Sequence, residues 1–147
     1  MGRDIHVTVA AIARRDDSYL IVEETVGGRL VLNQPAGHLE PRETIAAAAV
    51  RETLEETGWD FVPQALVGIY QYESAEGVNY LRFAFAGVVT GHHPERALDQ
   101  GIERALWLTR RELLARAADH RGPQVLRAID DYESGRRYPL DALVGWP

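Results

Sequence analysis

The sequence predicts an α/β protein with a mixed sheet between helices. Two blocks with strand-like hydrophobic alternation flank an alanine-rich segment of helical character, and two further stretches near the C-terminus carry helical spacing. Strands, a helix, more strands and then two helices is an order that suits such a layered arrangement.

In the first block Ile5, Val7, Val9 and Ala11 alternate with His6, Thr8 and Ala10, the pattern of a half-buried strand. RRDDS makes a polar turn and YLIVEE returns as a second strand. Gly27-Gly28 is a hairpin signal, after which RLVLNQ is a third strand. Pro35 and Gly37 break the chain. Thr44 is then placed to cap a helix with Ile45 to Thr57 as its body, and Gly58 follows as a residue able to take positive φ. FVPQALVGIYQYES and YLRFAFAGVVTG read as two strands joined at AEGVN, GHHPERALDQG as a polar loop and IERALWLT as a short strand. TRRELLARAADH and PQVLRAIDDYESG complete the helices. Neither a repeat nor a linker interrupts this order, so residues 1–147 are expected to form a single domain.

Hydrophobic residues make up 46% of the chain and charged residues 26%, the globular range. No apolar run reaches the length of a membrane span, and MGRDIHVTVA lacks the long apolar segment of a signal peptide. With cysteine also absent, the expected location is the cytoplasm, and disulfides, thiolate metal sites and cysteine nucleophiles are excluded. A net charge of −6 argues against nucleic-acid polymers as partners. All 16 basic residues are arginine, which rules out a P-loop lysine and Schiff-base chemistry. An anionic substrate would have to meet a metal ion, arginines or backbone N–H groups.

The central helix carries Glu52, Glu55 and Glu56 within about one turn, on one face by helical spacing. Ala47, Val50 and Leu54 fall on roughly the opposite face and are expected to be its buried side. Like charges at this spacing repel, and the helix C-terminus disfavours anions. A divalent cation would offset that cost, since Mg²⁺ takes oxygen ligands and can bridge carboxylates to a phosphate. Three glutamates alone are most often a solvated acidic face.

The wider pattern is more specific. Gly37, Glu43, Arg51-Glu52 and Glu55-Glu56-x-Gly58, at these spacings, resemble the signature of the Nudix hydrolases. Thr53 departs from it, since the family usually has an aliphatic residue there, and a packing compromise is expected. The resemblance implies the Nudix α/β/α sandwich and metal-dependent hydrolysis of a diphosphate joined to another moiety. It also implies that Glu52, Glu55 and Glu56 bind Mg²⁺ or Mn²⁺, with the Gly37 carbonyl as a further ligand and Glu52 or Glu55 as general base. Arg51 and Glu43 resemble an ion pair that holds the loop against the helix, and Arg51 is counted with the catalytic group. VEET at 22–25, NQPAGHLE at 33–40, LRFAF at 81–85 and SGRRYPL at 134–140 are similar to the NudJ phosphatase group of that family. This implies activity on nucleoside di- and triphosphates and on pyrimidine pyrophosphates of thiamine metabolism, with orthophosphate as a product.

Outside the signature, Arg82 lies among apolar residues and needs a partner, either a phosphate or a buried carboxylate; phosphate is the favoured expectation. Glu24, next to Glu23 at a strand end, could face the site or be solvated, and Gln34 is grouped with Arg82 and Glu24 as a substrate contact. Glu103 is expected as an extra acidic metal ligand, directly or through water. His38 is read as loop structure, and Tyr70, Tyr72 and Tyr80 as core or rim, with stacking on a pyrimidine as the minority reading. Arg136, Arg137 and Tyr138 are read as docking the last helix or as surface. The expected partner is a small phosphorylated molecule, and the chain is expected to be a monomer or homodimer. The competing functions are a Nudix pyrophosphatase that acts on a nucleotide sugar or dinucleotide, or releases nucleoside monophosphate and pyrophosphate, and a Nudix-fold binding module without catalysis.

Overall fold

β1 (Ile5–Arg15) is the strand on which the sheet is centred. The computed structural model describes residues 4–145, so the expected domain limits at 1 and 147 lie outside the described residues. The expectation of a half-buried first strand is corrected: Val9 to Ala13 are buried on both faces. Ala10 and Ile12 enter one core while Val9, Ala11 and Ala13 enter a second on the opposite face. Apolar alternation with alanine could not reveal this, because alanine is small enough to lie under a packed layer as readily as at a surface.

β2 (Ser18–Val26) and β3 (Arg29–Asn33) form a hairpin, with Gly27 at φ 58° and Gly28 at φ 77° making its turn. The break expected at Pro35 and Gly37 contains a three-residue strand, β4 (Ala36–His38), paired antiparallel to β1 through Thr8↔His38 and Val9↔Gly37. The helix α1 (Ile45–Thr57) follows, with the Thr44 side chain accepting from the Ala47 N–H at 3.1 Å and Gly58 at φ 73°. β5 (Trp59–Glu73) and β6 (Asn79–His92) form the long antiparallel pair, and β6 runs parallel to β1 with Thr8 beside Arg82. Pro63 falls in β5, an outer strand, at a register irregularity where its missing donor does least damage.

β7 (Ile102–Thr109) pairs with β2. The helix α2 (Arg110–Ala115) is shorter than its apolar spacing suggested; Thr109 and Glu112 form a capping box at its start and a 3₁₀ turn at Ala117–Asp119 follows its end. α3 (Gln124–Glu133) is the last α-helix among the described residues. The seven-stranded mixed sheet has the order β3-β2-β1-β6-β5, with β4 on β1 and β7 on β2. Ala48 and Ala49 of α1 pack into one core, and Leu113 of α2 with Ala128 and Ile129 of α3 into the other, which gives the α/β/α sandwich.

The expected buried face of α1 is also corrected. Its buried residues are Ala48, Ala49, Glu52, Thr53, Glu56 and Thr57. Val50 and Leu54 are only half-buried, and Ala47 is exposed. Small alanines let the helix backbone approach its neighbours. The hydroxyls on this face are satisfied locally: Thr53 Oγ1 donates to the Ala49 carbonyl at 2.7 Å and Thr57 Oγ1 to the Thr53 carbonyl at 2.6 Å. Thr53 therefore replaces an aliphatic residue without leaving a buried hydroxyl unpaired.

Candidate metal centre and substrate cleft

α1 and β4 bring the glutamates and Gly37 together. The Ala36 N–H donates to Glu56 Oε1 at 2.9 Å. A Cβ at position 37 would lie 2.1 Å from Glu52 Cδ, so only glycine leaves room for that carboxylate. Arg51 ties the loop to the helix. Its Nε and Nη2 donate to the two oxygens of Glu43 at 2.7 and 2.8 Å, and Nη2 also donates to the His38 carbonyl at 3.0 Å. Its Nη1 donates to Glu52 and Glu55, both at 2.9 Å. The expected ion pair is thus the centre of a larger network.

Desolvation dominates two of these carboxyls. It pushes Glu56 up to about 9, beyond what the Ala36 N–H offsets, with the charges of Glu52, Glu24 and Asp99 adding to the rise. It pushes Glu52 up to about 7 despite the bond from Arg51. The Arg51 bond, in contrast, holds Glu43 below the usual carboxylate range.

Among the described residues, no three carboxylate or imidazole groups converge as a metal cage. Arg51 Nη1 instead stands between Glu52 and Glu55. The chemistry of the donors still fits a hard cation: Glu52, Glu55, Glu56 and the Gly37 carbonyl are all oxygen donors, and a single guanidinium contacts Glu52 and Glu55. Those four residues could hold Mg²⁺ or Mn²⁺.

Glu103, expected as an extra acidic metal ligand, has a partner within the protein. Glu103 is exposed on β7, where its Oε1 accepts from Thr25 Oγ1 at 2.9 Å. Asp99, two residues before Gly101 in the loop ahead of β7, reaches the cluster electrostatically and raises both Glu52 and Glu56. Its own carboxyl is raised by desolvation and then by Glu55, and its N–H donates to the Glu55 carbonyl at 3.0 Å. Sequence reading treated this loop as merely polar, and Asp99 has no local signal that distinguishes it from its neighbours.

From β4 a cleft of about 1300 Å³ extends across the sheet toward α3. Glu24 lines it and pairs with Arg121 at 3.3 Å, whereas Glu23 points the other way and is buried between Arg104 and Arg116. Tyr70, Tyr72 and Tyr80 also line the cleft; Tyr72 and Tyr80 stack on each other, and Tyr70 Oη donates to Asp131 at 2.7 Å. His38 Nε2 meets His6 Nδ1 at 2.9 Å. Arg136 approaches Asp131 of α3 at 3.8 Å, Arg137 lies over the Tyr132 ring, and Tyr138 bridges to Leu66 of β5.

Gln34 differs from expectation, and the carboxylate considered as a partner for Arg82 is not found among the described residues. Arg82 is buried at the cleft floor, where Nη2 donates to Asn33 Oδ1 at 2.9 Å and Gln34 Oε1 at 3.1 Å. Gln34, expected as a substrate contact, is fully buried, and its Nε2 donates to the Val125 carbonyl at 2.7 Å. Both ends of its amide are engaged, so it positions Arg82 against α3 instead of facing the cleft. Desolvation lowers the Arg82 guanidinium from its ordinary value.

Comparison with known proteins places this geometry among relatives. The NUDIX domain family matches residues 4–129. Phosphatase NudJ of Escherichia coli (strain K12) is 40% identical over 144 residues, covering 97% of this chain and 94% of that protein. The solved structure of a NUDIX hydrolase from Nitrosomonas europaea superposes with a TM-score of 0.96 at 51% identity, covering 97% of this chain and 98% of that one. A bifunctional NMN adenylyltransferase/ADP ribose pyrophosphatase from Francisella tularensis, complexed with AMP and Mn ion, shares the fold at a TM-score of 0.72 and 21% identity, over 89% of this chain and 42% of that one.

Proposed function

The chain belongs to the NUDIX family and is a Nudix hydrolase, and from that premise we propose that it releases orthophosphate from nucleoside di- and triphosphates and from small, thiamine-related pyrimidine pyrophosphates. The carrying observation is a desolvated, oxygen-only glutamate cluster at the edge of a cleft lined by arginine and tyrosine. Similarity to Phosphatase NudJ along nearly the whole chain supports the same reading.

In this proposal Glu52, Glu55, Glu56 and the Gly37 carbonyl would hold Mg²⁺ or Mn²⁺. When bound, the cation neutralises charge on the anhydride and makes water easier to deprotonate. Glu52 is one candidate base for taking a proton from that water. Glu55 is the other candidate base, and Arg51 orients both carboxylates through Nη1. The cleft aligns the remainder of the substrate, and the order of phosphoryl groups along it decides which phosphorus meets the water; a misplacement of about 1 Å can cost ~10²-fold in rate. No helix is long and apolar enough to cross a membrane among the described residues, and a cytoplasmic location is part of the proposal.

Incubating GTP with enzyme and Mg²⁺ and resolving early products by ³¹P NMR tests the reading. Orthophosphate and GDP are expected first. GMP and pyrophosphate appearing together, with no GDP and no early orthophosphate, would replace it with a pyrophosphatase activity.

A further inference from the structure

Two polar atoms at the floor of the cleft lack partners. Thr8 on β1 and Arg82 on β6 are register neighbours, both line the cleft, and they are 7% and 2% exposed. Among the described residues, Thr8 Oγ1 and Arg82 Nη1 have no hydrogen-bond partner. A buried donor left unmade carries its full desolvation cost, so folded proteins rarely keep one without a ligand or water to meet it.

The second feature is charge. Arg82 is bonded only through neutral amide oxygens of Asn33 and Gln34, and no carboxylate forms an ion pair with it among the described residues. Of the other cleft arginines, Arg121, Arg127 and Arg136 each have an acidic neighbour, Glu24 or Asp131, while Arg29 donates to the Ala118 carbonyl and is exposed to solvent, unlike the buried Arg82. A buried guanidinium with no counter-charge and one free edge favours an anion over a neutral carbonyl. The Thr8 hydroxyl can donate to the same oxygen.

We propose that Thr8 and Arg82 form a subsite for an oxyanion of the phosphoryl group that stays with the product. The proposal rests on the Nudix reading of the cleft. Thr8 also pairs with His38, whose neighbour Gly37 abuts Glu52. The strands β4, β1 and β6 therefore set the Arg82 backbone about 10 Å from that of His38, two strand spacings away. The cleft lined by Thr8 and Arg82 also runs past Ala36 and Gly37, so one elongated substrate can border both ends. Anchoring the retained phosphoryl group at Thr8 and Arg82 leaves the terminal phosphorus for the glutamates.

The test is calorimetric binding in excess EDTA, with CMP, cytidine and inorganic phosphate as probes, on wild type, Thr8→Val and Arg82→Lys. Wild type should bind CMP and phosphate and bind cytidine far more weakly. Thr8→Val removes a hydroxyl that has no protein partner, so its melting temperature should equal or exceed that of wild type. Its affinity for CMP and phosphate should nevertheless fall by about three- to tenfold, the effect of one lost hydrogen bond. Arg82→Lys, checked by melting for an intact fold, should lose roughly tenfold or more because the fork is gone. Unchanged CMP binding in Thr8→Val, an equal loss for cytidine, or no CMP binding by wild type would overturn the proposal. Pyrophosphate release in the GTP experiment, with these binding differences intact, would overturn the orthophosphate reading and leave the subsite standing.

Discussion

Glu56 and Glu23 are both buried carboxylates, 9% and 3% exposed, yet their surroundings push them in opposite directions. Glu23 accepts from Arg104 at 2.5 Å and Arg116 at 2.9 Å, and the first of these bonds holds its carboxyl below the usual range. Glu56 has a single backbone N–H and a set of acidic neighbours, and burial drives it up to about 9. Burial alone does not mark a functional carboxylate. What separates the two is whether the fold supplies the counter-charge, and at Glu56 it leaves that task to something from outside.

The sharpest way to break this comparison is to neutralise each acid in turn. Glu55→Gln and Glu56→Gln should each lower kcat by at least ~10²-fold, within the range for losing acid–base or metal support, while the fold survives. Glu23→Gln should keep kcat within a few-fold but destabilise the protein by about 1–3 kcal/mol, the cost of unmaking a buried charged hydrogen bond. Near-normal activity in both helix variants would return that face to a plain acidic surface. A smaller effect separates the two loop acids: Asp99→Asn should weaken apparent Mg²⁺ affinity roughly three- to tenfold, about 1 kcal/mol of through-space attraction. Glu103→Gln should leave Mg²⁺ affinity unchanged, and a larger loss there than in Asp99→Asn would restore Glu103 as the auxiliary acid.

The succession of strands and helices apart from β4, the bounds of α1 and its two caps were legible because each has a local cause: period-two alternation, a Thr44 hydroxyl and a glycine able to take positive φ. The glutamates clustered by helical spacing, and the resemblance to the Nudix signature added Arg51 and gave the cluster its meaning. The buried side of α1 was not legible, because the residues it buries are alanine, threonine and glutamate, which carry no hydrophobic signal. Gln34 and Asp99 were misjudged or missed for a different reason. Their roles depend on Arg82, 48 residues away from Gln34, and on Glu55, far earlier in the chain than Asp99. Contacts of that range are set by tertiary packing and leave no trace in local pattern. Arg82 was rightly singled out as needing a partner, but its amide partners in the protein were not foreseeable from the residues beside it.

The central claim is that Glu56 lacks a protein counter-charge and Glu52 and Glu55 share the single guanidinium of Arg51, so that a divalent cation supplies the remaining charge; melting curves with and without Mg²⁺ across pH test it most directly. For Glu52 and Glu56 the folded-state value lies above the ordinary 4.5, at about 7 and about 9. The stability they contribute is therefore full below about 4.5 and lost as pH rises through those values in metal-free protein. In EDTA, the melting temperature of wild type should accordingly fall between pH 6 and pH 9 through these two groups, and Glu56→Gln should flatten the upper part of that fall. Mg²⁺ should raise the melting temperature most at the alkaline end in wild type and Glu23→Gln, and little in Glu56→Gln. An equal Mg²⁺ shift in Glu56→Gln and wild type at pH 9 would contradict the claim.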